Sequence, residues 1–278
     1  MTVYPAPPVP RWTVISFTLV LHLAALLAFL PVYFSWTAVG VALGLHCLTI
    51  GLGISLGFHR LAAHRTFKVP KWLEYFFIFC GTLACQGGVK GWVGYHRLHH
   101  LHSDQLGDPH DSTQGLWWCH IGWLMHEVPG NAELARYTKD ISSDPFYNFC
   151  HRYYIELQLG LAVLLYTWGG MPFLVWGIFA RLFVGFHATC FVNSVCHNFG
   201  YRSHVTGNRS TNCWWVALLT FGEGWHNNHH ALPTSARFGW RWWEVDAVWQ
   251  TVRLLRAMGL ATQVKPIVDQ PLVASKLD

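Results

Sequence analysis

Four nearly uncharged apolar runs dominate this sequence and limit what it can fold into. They lie at approximately 12–34, 37–58, 154–168 and 171–193. The first two are each long enough to cross about 30 Å of hydrocarbon as a helix at about 1.5 Å per residue. The last two are joined by Gly169, Gly170, Met171 and Pro172, and both connecting turns lack charge. Charged residues make up only 12% of the chain, about half the usual share of a soluble domain. The 16 tryptophans suit a bilayer boundary, where a ring can be wet at one end and in lipid at the other.

Charge places the runs. Residues 59–152 contain nine Lys/Arg and the chain from Arg202 onward eight more, so the positive-inside rule puts these segments in the cytosol and both hairpin tips outside. The expected fold is an all-α integral membrane protein. It forms one domain over residues 1–278, with four transmembrane helices and a cytosolic helical cap from 59–152 and 194–278. Residues 72–89 are apolar but carry Glu74 and are flanked by Lys71 and Lys90, which favours an interfacial helix over a fifth span. Residues 242–259 read either as a second interfacial helix, with Arg253 and Arg256 available to lipid phosphates, or as a helix packed on the cap.

The eight cysteines contain no CxxC pair and do not read as a disulfide framework. The proline-rich start lacks the charged region and cleavage site of a signal peptide. A net charge of +5 suits lipid head groups or an acidic protein and makes no case for nucleic acid.

Eighteen histidines form clusters. At that frequency HxxHH is expected about 0.1 times by chance, yet it occurs at His96, His99, His100 and again at His226, His229, His230. Positions i, i+3 and i+4 share a helix face, so each triplet presents its imidazoles to one place. His59 and His64 form a third cluster. Five residues apart on a regular helix they diverge by about 140°, so a break or unwinding is expected there. Asn193 and His197 lie four apart at the inner end of the fourth run. All fall on the cytosolic side, and nine imidazoles exceed the needs of one metal; two ions, with imidazole suiting iron, zinc or copper, is the natural division. Asp104, Asp108, His110, Asp111 and Glu223 are candidates to hold ligand imidazoles through their outer nitrogens. His22 and His46 read as packed, satisfied polar residues, and Arg181 as a costly mid-span charge.

HRLAAH (59–64), HRLHH (96–100), SDQLGDPHDS (103–112), FVNSVCHNFG (191–200) and GEGWHNNHH (222–230) resemble the membrane stearoyl-type Δ9 fatty-acyl desaturases. FKVPKWLEYF, ISSDPFY and STNCWWVALLTFGEGWHNNHH are similar to the cyanobacterial acyl-lipid Δ9 branch, and the likeness runs from about residue 37 to 260. The resemblance implies two iron ions held by His59, His64, His96, His99, His100, His197, His226, His229 and His230, with Asn193 reaching one through water. It implies O2 as co-substrate, a membrane glycerolipid C16/C18 acyl chain (alternatively an acyl-CoA) as substrate, and a cis Δ9 double bond as product. Trp117, Trp118, Thr189, Cys190 and Trp214 are candidates for the acyl tunnel wall, and Cys190 stands where relatives usually place tryptophan. The sequence contains no HPGG haem motif and no flavin or nicotinamide fingerprint. A separate electron carrier is therefore expected, ferredoxin by the cyanobacterial likeness or otherwise a cytochrome b5-type protein. The likeness also implies a plasma or thylakoid membrane location. The nearest rival is a di-iron hydroxylase. A metal transporter fits less well, because its ligands would line a path within the membrane.

Overall fold

The computed structural model describes residues 9–127 and 134–265; the segment read for a signal peptide and the two ends of the expected 1–278 domain extend outside them. Three apolar helices are long enough to cross a membrane: α1 (Trp12–Phe29), α2 (Trp36–Ala63) and α9 (Tyr154–His197). Between them lie α3 (Lys71–Thr82), α4 (Val89–His102), α5 (Leu116–His120), α6 (Leu134–Tyr137), α7 (Lys139–Ser142) and α8 (Pro145–Arg152). After them come α10 (Trp214–Leu219), α11 (His226–Ala231) and α12 (Ala247–Ala257). Among the described residues there are only isolated β-bridges and no strand.

Helix α1 stops at Phe29 rather than near residue 34, because Pro31 drives Leu30 into an extended conformation (φ −82°, ψ 122°). Ser35 then starts α2, its hydroxyl accepting from the Ala38 amide. Helix α9 is broken at Gly169 (φ −138°) and Gly170 (φ 66°, ψ −157°), a conformation open to glycine and strained for other residues. The chain reverses there. Arg181 lies 3.4 Å from Gln158, although 23 residues of straight helix would separate them by about 35 Å. Leu165 packs beside Phe173, Ile178 and Leu182. The arms 154–168 and 171–197 thus form a hairpin, and the molecule presents four apolar helical arms.

In the second half of α2 the helix does not break; of the two expected outcomes, it is the unwinding that occurs. The helix continues from Cys47 to Ala63 with the wider π-type winding, and the His64 amide donates to the His59 carbonyl at 3.0 Å. An i→i+5 bond sets residue i+5 roughly one turn above residue i, so His59 and His64 share a side without any interruption.

Helix α3 has 12 residues, about 18 Å and too short to span, and is followed by turns at Cys85 (φ 55°) and Gly87 (φ 90°). It lies against α2 where small residues let backbones meet. A Cβ on Gly53 would fall 2.3 Å from the Gly81 nitrogen, and one on Gly57 would fall 2.8 Å from the Phe77 carbonyl. Of the two readings for 242–259, packing is what occurs on the inner face. Asp246 caps α12 by accepting from the Trp249 amide, and Val248, Val252 and Leu255 pack with Leu56, Leu61, Phe67, Leu73 and Phe77.

Arg181 is buried and ties several elements together. It donates to the Gly177 carbonyl (2.6 Å), the Thr49 hydroxyl (3.2 Å) and the Leu83 carbonyl just beyond α3 (3.0 Å). His22 bonds the Thr18 carbonyl (2.7 Å) and His187 (2.9 Å), while His46 donates to the Leu219 carbonyl. Arg181 and His22 thus find their partners within the protein, while His46 Nδ1 is left without one among the described residues.

Gly53→Ala is expected to destabilise the protein by about 1–3 kcal/mol through overpacking, whereas Gly40→Ala, with nothing within 4 Å of its added methyl, should be neutral or slightly stabilising. Thermal unfolding in detergent, followed by tryptophan fluorescence, measures both.

Candidate metal centre

Four elements deliver the nine histidines. The wound end of α2 supplies His59 and His64, one face of α4 supplies His96, His99 and His100, the end of α9 supplies His197, and α11 supplies His226, His229 and His230. They converge as two groups. His59, His64, His96, His100 and His229 each place a ring nitrogen within 4.8 Å of the others, as do His99, His197, His226 and His230. Within the first group, Nε2 atoms approach at 2.7 Å (His64 and His96), 3.0 Å (His59 and His229) and 2.9 Å (His229 and His100). Within the second the separations are 3.0 Å (His197 and His226), 3.0 Å (His226 and His230) and 3.4 Å (His99 and His230).

Carboxylates fix which nitrogen faces inward. The Nδ1–H of His59 donates to Glu223, that of His197 to Asp104 at 2.9 Å, and that of His99 to Asp108 at 2.9 Å. A neutral imidazole carries one proton. With it on Nδ1, the Nε2 lone pairs of His59 and His197 point at other Nε2 atoms. Each can accept a proton from a partner Nε2–H or share a cation with it, and the convergence of several imidazole nitrogens in each group fits two metal ions.

Asp104 has φ 58° and also accepts from the Ser112 hydroxyl (2.6 Å) and the Arg209 amide (2.7 Å). Burial opposes its charge, but the His197, Ser112 and Arg209 hydrogen bonds hold it well below the ordinary carboxylate range. Burial pushes Asp108 up to about 8 and pushes His99 well down, so burial disfavours charge on both partners. Burial likewise depresses His64, His96, His100, His226, His229 and His230, the neutral state that metal ligation requires.

Among the other candidates, His110 stacks on the His99 ring at 4.1 Å and lies beside Asp108. Asp111 instead accepts from the Thr113 amide and hydroxyl, closing a turn. Asn193 lines a cavity together with His59, His96, His99 and His226. The remaining wall includes Ile50, Ile54, Ser55, Val192 and Thr220. Of the tunnel candidates only Thr189 is there. Cys190 is buried elsewhere in α9, and Trp117 and Trp214 are exposed by 68% and 62%. Trp118 is partly buried outside the cavity wall.

Sequence reasoning passed over several residues at the site. Trp92 stacks on His96 and lines the cavity. The Asn208 amide lies 3.0 Å from His230 Nδ1. Arg60, fully buried, bonds Asp246 (2.9 Å) and Glu223 (3.4 Å) and lies over the Phe238 ring. Only the adjacency of Arg60 to His59 hinted at its place.

The family model for fatty acid desaturases matches residues 34–264. The chain is 60% identical over 256 residues to the sn-1 stearoyl-lipid 9-desaturase of Synechocystis sp., covering 92% of this chain and 80% of that one. It is 59% identical to the sn-1 stearoyl-lipid 9-desaturase of Anabaena variabilis (92% and 94% covered). It is 44% identical to the sn-2 palmitoyl-lipid 9-desaturase of Nostoc sp. (94% and 91% covered).

Two outcomes follow from the geometry. Asp104→Asn retains a residue that tolerates positive φ but weakens the support of His197, so metal affinity should fall about 10–100-fold, as read by chelator competition with circular dichroism confirming the fold. The depressed imidazoles stay neutral in the folded protein but protonate near pH 6.5 when unfolded. Proton uptake by the unfolded chain therefore lowers the stability of the metal-free protein as pH falls below about 6.5, and thermal unfolding against pH should show that decline.

Proposed function

The chain belongs to the fatty acid desaturase family, and on that footing we propose that it places a cis double bond between C9 and C10 of a stearoyl chain esterified at the sn-1 position of a membrane glycerolipid. One observation carries this reading: a cavity lined by the apolar side chains of Ile50 and Ile54 from α2 and Val192 from α9, whose wall also includes histidines of both metal groups. The two relatives near 60% identity act on sn-1 stearoyl-lipid by name, and the more distant one on sn-2 palmitoyl-lipid.

The proposed ligands are the nine histidines, with Asn193 acting through water. When bound, two iron ions would supply the means of using O2 as oxidant: two hydrogens leave the chain, two electrons and two protons arrive from outside, and two waters form. The protein's own residues do the positioning. Methylenes are chemically alike, so only geometry selects one pair. Ile50, Ile54, Val192 and Trp92 would confine the chain, and Thr189 beside Gln86 (2.9 Å) would mark its course past the histidines. Asp104, Asp108 and Glu223 hold imidazole orientation as the local charge changes.

We read the four apolar arms as four spans of a single membrane domain, with α3 at the interface and the histidine end in the cytosol. The support is the concentration of Lys/Arg in residues 59–152 and beyond 202, against uncharged hairpin tips. In a cyanobacterial setting the membrane would be the plasma or thylakoid membrane and the electron donor ferredoxin, with a cytochrome b5-type carrier as the alternative.

Expression in a host lacking Δ9 unsaturation should yield sn-1 cis-Δ9 monoenes by mass spectrometry of lipase-released chains; hydroxylated chains alone would refute desaturation. His100→Ala and His230→Ala should each reduce product more than 100-fold while the protein stays in the membrane fraction. Labelled stearoyl-lipid and stearoyl-CoA offered separately with reduced ferredoxin decide the acyl carrier, and conversion of the CoA ester alone would overturn the lipid assignment.

A further inference from the structure

Residues 198–265 contain three carboxylates, Glu223, Glu244 and Asp246, exposed by only 6%, 3% and 2%. All are engaged internally. Glu244 accepts from the Tyr201 hydroxyl, the Asn228 amide and the Trp240 and Arg241 backbone amides. Asp246 accepts from Arg60 and the Phe238, Gly239 and Trp249 amides. The charge this segment exposes is therefore wholly cationic: Arg202, Arg209, Arg241, Arg253, Arg256 and Lys265.

Elsewhere on the histidine end three cations are paired with carboxylates, while Lys68 and Lys139 are exposed with no ion pair among the described residues. Lys71 pairs with Glu74 and Asp144, and both Arg65 and Arg97 pair with Asp140. Among the described residues, Arg241 is the one exposed arginine of this segment that approaches a carboxylate, at 3.8 Å, and that is the already engaged Glu244. Arg241 and Arg253 bring this exposed positive charge to one face.

That face is concave. Arg237, Arg241 and Arg253 line a pocket with Trp242 and Trp249, and Trp242 is 93% exposed. Arginine and exposed aromatic rings are the side chains enriched at protein interfaces. The pocket also stands next to the five-histidine group. Arg237 and Gly239 line it, and between them Phe238 turns inward, its ring 4.2 Å from that of His229 and 5.3 Å from that of His59. A polar route runs beside it, from Asp246 on the pocket wall through Arg60 and Glu223 to His59.

We propose that this pocket, centred on Arg241, Arg253 and Trp242, is the docking surface of an acidic one-electron carrier protein that delivers electrons to the five-histidine group past Phe238. The proposal rests on the oxidative reading above, which requires electrons from outside. A bound lipid head group would use the arginines but would have no use for the passage to His229. Charge complementarity makes carrier association salt-dependent.

The test uses the full chain in zwitterionic nanodiscs, loaded with zinc so that binding is measured without turnover, and plant-type [2Fe–2S] ferredoxin as the probe. The wild type should bind with affinity that falls steeply with salt. Arg241→Glu/Arg253→Glu should bind more than tenfold more weakly, and Lys139→Glu on another part of the histidine end should stay within twofold. Wild-type affinity in the double variant overturns the proposal, as does loss confined to phosphatidylglycerol vesicles with ferredoxin binding retained. Single-turnover formation of the monoene by iron-loaded protein, chemically reduced without oxygen and then exposed to it, reports separately on the oxidative reading. The double variant should keep that turnover while ferredoxin-driven turnover falls more than tenfold.

Discussion

Imidazole lone pairs brought face to face repel one another, and the centre of this molecule is built from nine such rings in two groups. The facing nitrogens of His59 and His229, or of His197 and His226, stand 3.0 Å apart, close enough to share either a proton or a cation within each group. The surrounding polar residues serve that arrangement. Glu223, Asp104 and Asp108 hold outer nitrogens, and Arg60 balances Glu223 and Asp246 in a fully buried position. Two acidic partners and an aromatic face offset the charge of this arginine; lacking them it would be among the costliest groups a fold can enclose.

The helices carry out the convergence by different means. Helices α4 and α11 use ordinary helical spacing. Helix α2 uses a wider winding, which holds the His64 amide on the His59 carbonyl and lets a spacing of five do what four does elsewhere. Helix α3 presses against α2 through Gly53, Gly57 and Gly81, and α12 closes over the same region with Val248, Val252 and Leu255. The cavity is lined by α2, α4 and α9, so apolar side chains and clustered histidines share a wall.

Much of this was legible beforehand because it rests on local periodicity. The HxxHH triplets carried their own geometry, and the hairpin in α9 was written in Gly169 and Gly170, whose dihedral freedom no neighbour needs to supply. Where two local solutions compete, the sequence was a poorer guide. His59 and His64 can be brought together by a broken helix or a widened one, and packing with α3 accompanies the second. Asp111 has the same residue type and loop as Asp104 and Asp108, yet it bonds Thr113, since only the fold decides which carboxylate meets an imidazole. Trp117 and Trp214 are large and near the motifs but face outward, while Ile50, Ile54 and Trp92 reach the cavity from helices distant in sequence.

By itself, the sequence determined the apolar helices, the histidine clusters and the family, because bilayer length, helical spacing and a dense motif are properties of short stretches of chain. Tertiary structure alone decided the division of histidines into five and four, the pairing of each carboxylate with its imidazole, the lining of the cavity and the meeting of Arg237, Arg241 and Arg253 at one pocket. Each of these joins residues up to about 190 positions apart, such as Arg60 and Asp246. Such pairings depend on which helix faces meet, and no local periodicity records that choice.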